Sequence, residues 1–400
     1  MRSLRVSTDG HTFIDGEGKP FFWLGDTQWE LFRRYSLEEA RTILEKRRRQ
    51  GFTVFQVMLT GVGDGTQANL EGETPWIADD PAAPNEAYFR RADPIVVEIA
   101  RQVGMVLVIG VFHQLQRDHI TTANARDYAR WVAQRYQEAP HIVWSMYPAA
   151  KPEYLPVLRE LAAGLREGDR ERRLITVHPD PSPASSSFIH EEPWLDFHSI
   201  QTYKHVELIA PMVANDYALT PTKPVVMAEG AYEAGTEYGF EVTPLWVRRQ
   251  AYYSYLCGAS HTYGHNDLWR VLPTWLEALD AEGARQMGVL KQVFLERKEW
   301  WSLVPDSTIL VEGGATQGPV LNLAARHAAG KWIMVYLGAQ ASFAVDTKHI
   351  AGAERATAFW TDPRNGHSSP IGDVPTGGVL RFTTPEGWED ALLIVEAAGE

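Results

Sequence analysis

The chain of 400 residues holds a single cysteine, Cys257, so no disulfide can form within it. No stretch approaches the ~18 apolar residues that a membrane-spanning helix needs. The opening Met1-Arg2-Ser3-Leu4-Arg5 lacks the apolar centre of a secretory signal, and the expectation is a cytoplasmic protein. Basic residues are outnumbered: 38 Lys and Arg face 51 Asp and Glu, a net charge of −13. That balance argues against nucleic acid or a membrane surface as partner, since both attract basic patches. The usual phosphate cradles are missing too, with no G-x-G-x-x-G after the first strand-like run and no G-x-x-x-x-G-K-[ST] anywhere. No His-Glu-x-x-His helix occurs, and Ser185-Ser186-Ser187 has no nucleophile elbow around it. The first run ends Asp26-Thr27-Gln28 where a zinc-dependent barrel hydrolase would carry His-x-His. Neither a metal nor a cofactor is expected.

The chain does have regular alternation. Strand-like apolar runs lie at residues 21–26, 53–59, 105–112, 141–146, 174–178, 197–203, 224–229 and, more weakly, 259–263, and the run into Glu229 is apolar without alternation, the mark of a strand covered on both faces. Helical patterns separate them. Ser36-Leu37-Glu38-Glu39 reads as a capping box and Gly51 as the stop of that helix. Residues 87–103, 123–136, 154–165 and 245–256 carry apolar residues at three- and four-residue spacing. This order predicts an α/β fold, a (β/α)8 TIM barrel over residues 16–302, preceded by an N-terminal β segment at 1–15. Beyond 303 the texture changes to short runs at 308–312, 320–325, 331–337, 356–360, 379–383 and 391–395, separated by turns such as Asp362-Pro363-Arg364-Asn365-Gly366. That predicts a C-terminal antiparallel β-sandwich over 303–400.

In such a barrel the chemistry gathers at the C-terminal ends of the strands. Reading those positions gives Asp26, Trp29, His113, Tyr147, His178, Asp180, Gln201, Tyr203, Glu229, Tyr232, His265, Asn266 and Trp269 as candidate site residues. Glu229 is the sharpest, because Val225-Val226-Met227-Ala228 runs straight into the carboxylate and Gly230. Carboxylates among aromatic rings, with few cations, fit a neutral polyhydroxylated ligand, hence a carbohydrate. With 14 Trp and 15 Tyr the chain has rings to spare for sugar faces, although core packing is the commoner use of any one of them. Paired carboxylates serve glycoside hydrolysis: one attacks the anomeric carbon or activates water, and the other protonates the leaving oxygen. Two other classes stay open on the residues alone. One is a carbohydrate-binding pseudoenzyme, and the other a metal-dependent sugar isomerase or lyase on the same barrel.

Several stretches, in this order, resemble the apiosidase-like glycoside hydrolases, which join a (β/α)8 catalytic domain to a C-terminal β-domain labelled "putative collagen-binding". They are Phe21 to Thr27, Gly72 to Pro75, Pro84 to Phe89, Glu192 to Phe197, the Glu229 segment, Thr262 to Asn266 and Trp360 to Arg364. The resemblance implies a retaining glycosidase acting on a pentofuranoside, such as an apioside or arabinofuranoside, or on a deoxy-sugar, with Glu229 as nucleophile. It also implies an Asp acid/base after the fourth strand, in a Trp-x-x-Gly-Gly-Asp setting. Here the chain departs from the pattern: Trp144 is followed by Ser145-Met146-Tyr147-Pro148-Ala149, and Ala149 stands where the acid should be. Asp180, at the end of the fifth strand, and Glu153 are the carboxylates that could replace it.

Overall fold

The computed structural model describes residues 3–398. Strands β1 (Arg5–Val6), β2 (Phe13–Ile14) and β3 (Pro20–Phe21) form a small antiparallel sheet. The apolar run at 21–26 therefore divides, its first residue pairing with β2 and the rest entering the barrel. The barrel strands are β4 (Leu24–Thr27), β5 (Val54–Met58), β6 (Val106–Gly110), β7 (Ile142–Met146), β8 (Ile175–Val177), β9 (His198–Tyr203), β10 (Val225–Gly230) and β11 (Ser260–Gly264). They pair in parallel in the order β8-β7-β6-β5-β4-β11-β10-β9. Closure between β8 and β9 comes from Asp196 N donating to Ile175 O at 3.0 Å and Thr176 Oγ1 donating to Phe197 O at 2.9 Å. Nearly every strand residue is buried, which is why the run into Glu229 shows no alternation in sequence.

Helices cover the outside: α1 (Leu37–Arg49), α2 (Glu86–Asp93), α3 (Ala100–Val103), α4 (Ala125–Arg135), α5 (Leu155–Gly168), α6 (Ser186–Ile189), α7 (Ile209–Tyr217), α8 (Pro244–Leu256), α9 (Asn266–Trp269), α10 (Trp275–Ala278) and α11 (Glu282–Leu295). The Ser36/Glu39 capping box opens α1, with Ser36 Oγ accepting from Glu39 N and Glu39 returning to Ser36 N. The single helix expected over 87–103 is α2 and α3 joined by a π-helical stretch, Pro94–Ile99. Pro94 supplies no N–H, so the regular ladder is interrupted and wider pairing takes over.

The C-terminal domain packs two antiparallel sheets. One holds β12 (Leu303–Pro305), β14 (Asn322–His327), β15 (Trp332–Leu337), β20 (Ala391–Ala397), β17 (Arg355–Thr361) and β18 (Ser368–Pro375), in that order. The other holds β13 (Leu310–Glu312), β16 (Ser342–Asp346) and β19 (Val379–Thr383). Strand β18 has no sequence signal because two prolines interrupt it. It lies at the sheet edge, where a missing donor costs no ladder bond. Ile333, Val335, Phe343, Val345, Leu393 and Val395 fill the space between the sheets. The opposite face of the larger sheet, with Trp332, Met334, Tyr336, Leu392 and Ile394, joins the barrel's own core.

Candidate active site

The C-terminal strand ends surround a cavity of about 320 Å³. From the sequence-derived set its wall takes Trp29, His113, Tyr147, His178, Asp180, Gln201, Tyr203, Glu229, Tyr232 and Trp269. Glu229 is the penultimate residue of β10, in register with Gln201 of β9, so one strand pair delivers a carboxylate and an amide side by side. Glu229 is 9 % exposed, enough to be reached from the cavity and little else.

Its neighbours are polar hydrogens on rings. Trp29 Nε1 donates to the Tyr232 hydroxyl at 3.0 Å. Tyr232 accepts there, which frees its own proton for the Glu229 carboxylate beside it. Burial first, and then the charge of Glu229, hold the Tyr232 and Tyr147 hydroxyls well above the ordinary value, so both stay neutral. His178 Nε2 lies 3.2 Å from Glu229 Oε2 without hydrogen-bond alignment, and Nδ1 faces the Pro179 carbonyl at 3.1 Å. The ring is held between Tyr147, stacked at 5.3 Å and 11°, and Trp29, edge-on at 5.5 Å. His113 Nδ1 is engaged by the backbone of Gly63 and Leu115. Burial lowers the His113 pKa to about 4, so that ring is neutral. Tyr203 holds a left-handed φ of +55° at the end of β9, a strained position for an aromatic residue that turns its ring into the cavity wall.

The mouth is charged in pairs. Asp180 is ion-paired with Lys151, both about one-third exposed. Glu237 meets Arg270 Nη2 at 3.2 Å, and the Arg270 guanidinium lies 4.5 Å over the Trp269 ring. Glu237, Arg270 and Met58 line the cavity and were not among the expected residues, while Val62 and Gln114, at the ends of the second and third barrel strands, line it as their strand-end positions predict. Arg270 directly follows Trp269 and could have been found from it; Glu237 sits in a loop without periodicity and carries no such signal. Ala149 lines the cavity as well, its N–H donating to Gln114 Oε1 at 3.0 Å. Glu153 is exposed and lies outside the wall.

Three expected residues are corrected. Asp26 does not reach the cavity: fully buried, it meets Arg47 Nε at 2.7 Å and Gln28 Nε2 at 3.0 Å. Strand residues alternate sides, and Asp26 takes the side facing α1, which supplies Arg47. Burial raises the Asp26 pKa against the pull of Arg47. His265 caps α9, its Nδ1 accepting from Asp267 N at 3.2 Å. Asn266 holds Arg270 Nε through Oδ1 at 2.8 Å and supports the wall from behind. Among the described residues no cluster of three His, Cys, Asp or Glu has metal-holding geometry, and no helix is long and apolar enough to cross a membrane.

The catalytic-domain model of the apiosidase-like family matches residues 7–302. The chain belongs to that family. Residues 304–396 match the model described as "Putative collagen-binding domain of a collagenase". A solved glycoside hydrolase is 25 % identical at a TM-score of 0.90, covering 100 % of this chain and 98 % of its own. A family 5 glycoside hydrolase from Bacteroides vulgatus is 24 % identical, TM-score 0.90, covering 99 % and 93 %. A β-L-arabinopyranosidase from Geobacillus stearothermophilus shares the fold at 12 % identity and a TM-score of 0.58, covering 94 % and 97 %. No curated protein matches. The apiosidase-like barrel is thus the catalytic domain of a glycosidase.

Proposed function

We propose that this apiosidase-like protein hydrolyses glycosides of a neutral sugar, a pentofuranoside or deoxy-sugar, with retention of configuration, and that Glu229 is the nucleophile. The observation that carries the reading is Glu229 itself, set among Tyr232, Trp29, His178 and Gln201 in a cavity walled by rings. In the first half-reaction Glu229 attacks the anomeric carbon, the bond to the aglycone oxygen breaks, and that oxygen takes up a proton. In the second, water attacks the same carbon, loses a proton and frees Glu229. The neutral character of the sugar rests on the wall, where the two mouth cations, Lys151 and Arg270, already have carboxylate partners.

Asp180 is the group we assign to the proton. It lines the cavity beside Ala149 and comes from the strand next to the one that carries the family's acid. Lys151 occupies one of its oxygens, so the acid role requires that contact to open as the glycoside fills the mouth. A panel of 4-nitrophenyl pentofuranosides and deoxy-glycosides tests the reading, with the product anomer followed by NMR. Retention is expected, along with loss of turnover in Glu229→Ala and its recovery with azide as the glycosyl azide of inverted configuration. Undiminished turnover in Glu229→Ala overturns the assignment.

Ala149 favours a second reading, a carbohydrate-binding protein that has lost turnover. It predicts that 4-nitrophenyl glycosides bind, by calorimetry, and release no nitrophenolate.

A further inference from the structure

Helix α8 is largely buried, with only Pro244, Leu245, Trp246 and Arg249 partly exposed. Val247, Arg248, Gln250, Ala251, Tyr252, Tyr253, Ser254, Tyr255 and Leu256 are all buried, because the barrel covers one side and the C-terminal domain the other. On the barrel side Gln250 reaches the chain just past the nucleophile. Its Oε1 accepts from Ala231 N at 2.7 Å and its Nε2 donates to Ala231 O at 3.0 Å. A side chain at Gly230 would place Cβ 2.3 Å from Gln250 Oε1, so glycine is what lets the amide come so close. The clamped residue stands between Glu229 and Tyr232, both of which line the cavity. One turn on, Ser254 Oγ lies 3.2 Å from His261 Nδ1 of β11.

The other side of α8 is fastened to the β-domain. Arg248 makes a two-pronged pair with Asp390, Nε to Oδ2 and Nη2 to Oδ1, both at 2.8 Å. The Tyr336 hydroxyl donates to Asp390 Oδ2 at 2.6 Å. Tyr252 stacks on Tyr336 at 4.4 Å and 10°, and the Tyr253 hydroxyl accepts from Leu321 N at 2.8 Å. Arg248, Asp390 and Tyr336 are each at most 2 % exposed. Such a contact is unlike a loosely tethered module, whose interface is smaller and more polar.

We infer that Gln250 is a positioning residue for Glu229 and Tyr232, and that the C-terminal domain acts on the active site by fixing α8, and with it Gln250, rather than as a separate binding module. The inference rests on Glu229 being the nucleophile. It asks the β-domain to hold a backbone clamp, so loss of either should misplace Glu229 in the transition state and leave sugar binding largely intact.

The test is steady-state kinetics of the full chain on the 4-nitrophenyl glycoside that the wild type turns over, with folded fractions checked by circular dichroism. Gln250→Ala should lower kcat about tenfold or more, as expected of a misaligned catalytic group, with KM nearly unchanged. Gln250→Glu keeps the acceptor for Ala231 N and should recover part of the loss. Asp390→Asn, at a residue that does not line the cavity, should lower kcat in the wild-type background and add nothing in the Gln250→Ala background, because the two changes act through one link. If Asp390→Asn fails to fold, Tyr336→Phe removes a single bond to Asp390 and is measured in the same cycle. Unchanged kcat in Gln250→Ala, a loss confined to KM, or multiplicative losses in the double variant each overturn the inference. Azide rescue of Glu229→Ala alongside any of these keeps the nucleophile and removes only the positioning link.

Discussion

Asp180 and Glu229 differ in what surrounds them, and that difference sets what each can do. Glu229 is walled in by ring O–H and N–H groups and, among the described residues, forms no ion pair with a lysine or arginine. Asp180 is at the mouth with Lys151 against it. A leaving group of high basicity needs a proton in the transition state, and a nitrophenolate hardly does. Asp180→Asn is therefore expected to lower kcat/KM on an alkyl glycoside by about 10²–10⁴ and to leave the 4-nitrophenyl glycoside close to the wild-type value. An equal loss on both substrates would assign Asp180 to binding instead of proton transfer. Glu229, His178 and Asp180 were all legible from their places at strand ends, since eight such ends converge on one face. Asp26 was misread because the rule fixes the height of a residue along a strand and not the side it faces; only Arg47, arriving from α1, reveals that side. Glu237 and the Lys151 contact depend on loop paths, which leave no period in a sequence.

At the scale of elements, the Asp26–Arg47 pair belongs to the seam where α1 meets the barrel. Arg47 Nη1 also donates to the Leu279 carbonyl at 3.0 Å, and its guanidinium lies 5.2 Å over Phe52 and 5.5 Å over Tyr263. The Tyr263 hydroxyl in turn donates to Glu233 at 2.5 Å, and Gly283 N, at the start of α11, donates to the same carboxylate at 2.9 Å. One network thus ties α1, β4, β11 and α11 together below the mouth. Arg47→Ala strands a buried carboxylate and is expected to cost about 3–5 kcal/mol of unfolding free energy in urea, with kcat/KM of the folded protein nearly unchanged. A change in KM at full stability would return Asp26 to the binding site. The long elements, α1, α4, α5, α8 and the barrel strands, were readable because caps and apolar runs mark them. Strands β12 and β18 were not, β12 being three residues long and β18 an edge strand crossed by proline, and β16 and α11 were missed although they are as long as β19 and α5, which were read.

Across the whole molecule, buried neutral imidazoles recur well beyond the cavity. Burial lowers His113, His141 and His265 to about 4, and His198 and His261 to about 3, from an ordinary 6.5. The folded chain therefore binds fewer protons than the unfolded chain between pH 6.5 and about 4. Stability from these groups is complete above pH 6.5 and is lost progressively as pH falls through that window. Each histidine contributes a slope of about 1.4 kcal/mol per pH unit where only the unfolded form is protonated. Asp26, Asp216, Glu233 and Glu396, raised by burial, work in the opposite sense, because the folded state takes up their protons more readily. The histidines outnumber them, so urea unfolding at pH 7.5, 6.5, 5.5 and 4.5 should show free energy falling with acid by more than one histidine's slope. His198 makes the test specific: its Nε2 faces His190 Nδ1 at 3.0 Å, neither ring lines the cavity, and its Nδ1 has no hydrogen-bond partner among the described residues. His198→Asn should flatten the slope by about one proton while leaving the pH profile of turnover in place. A profile that moves with His198 would place that ring in the reaction, and a slope that does not change would remove burial of neutral histidine as the origin of acid lability.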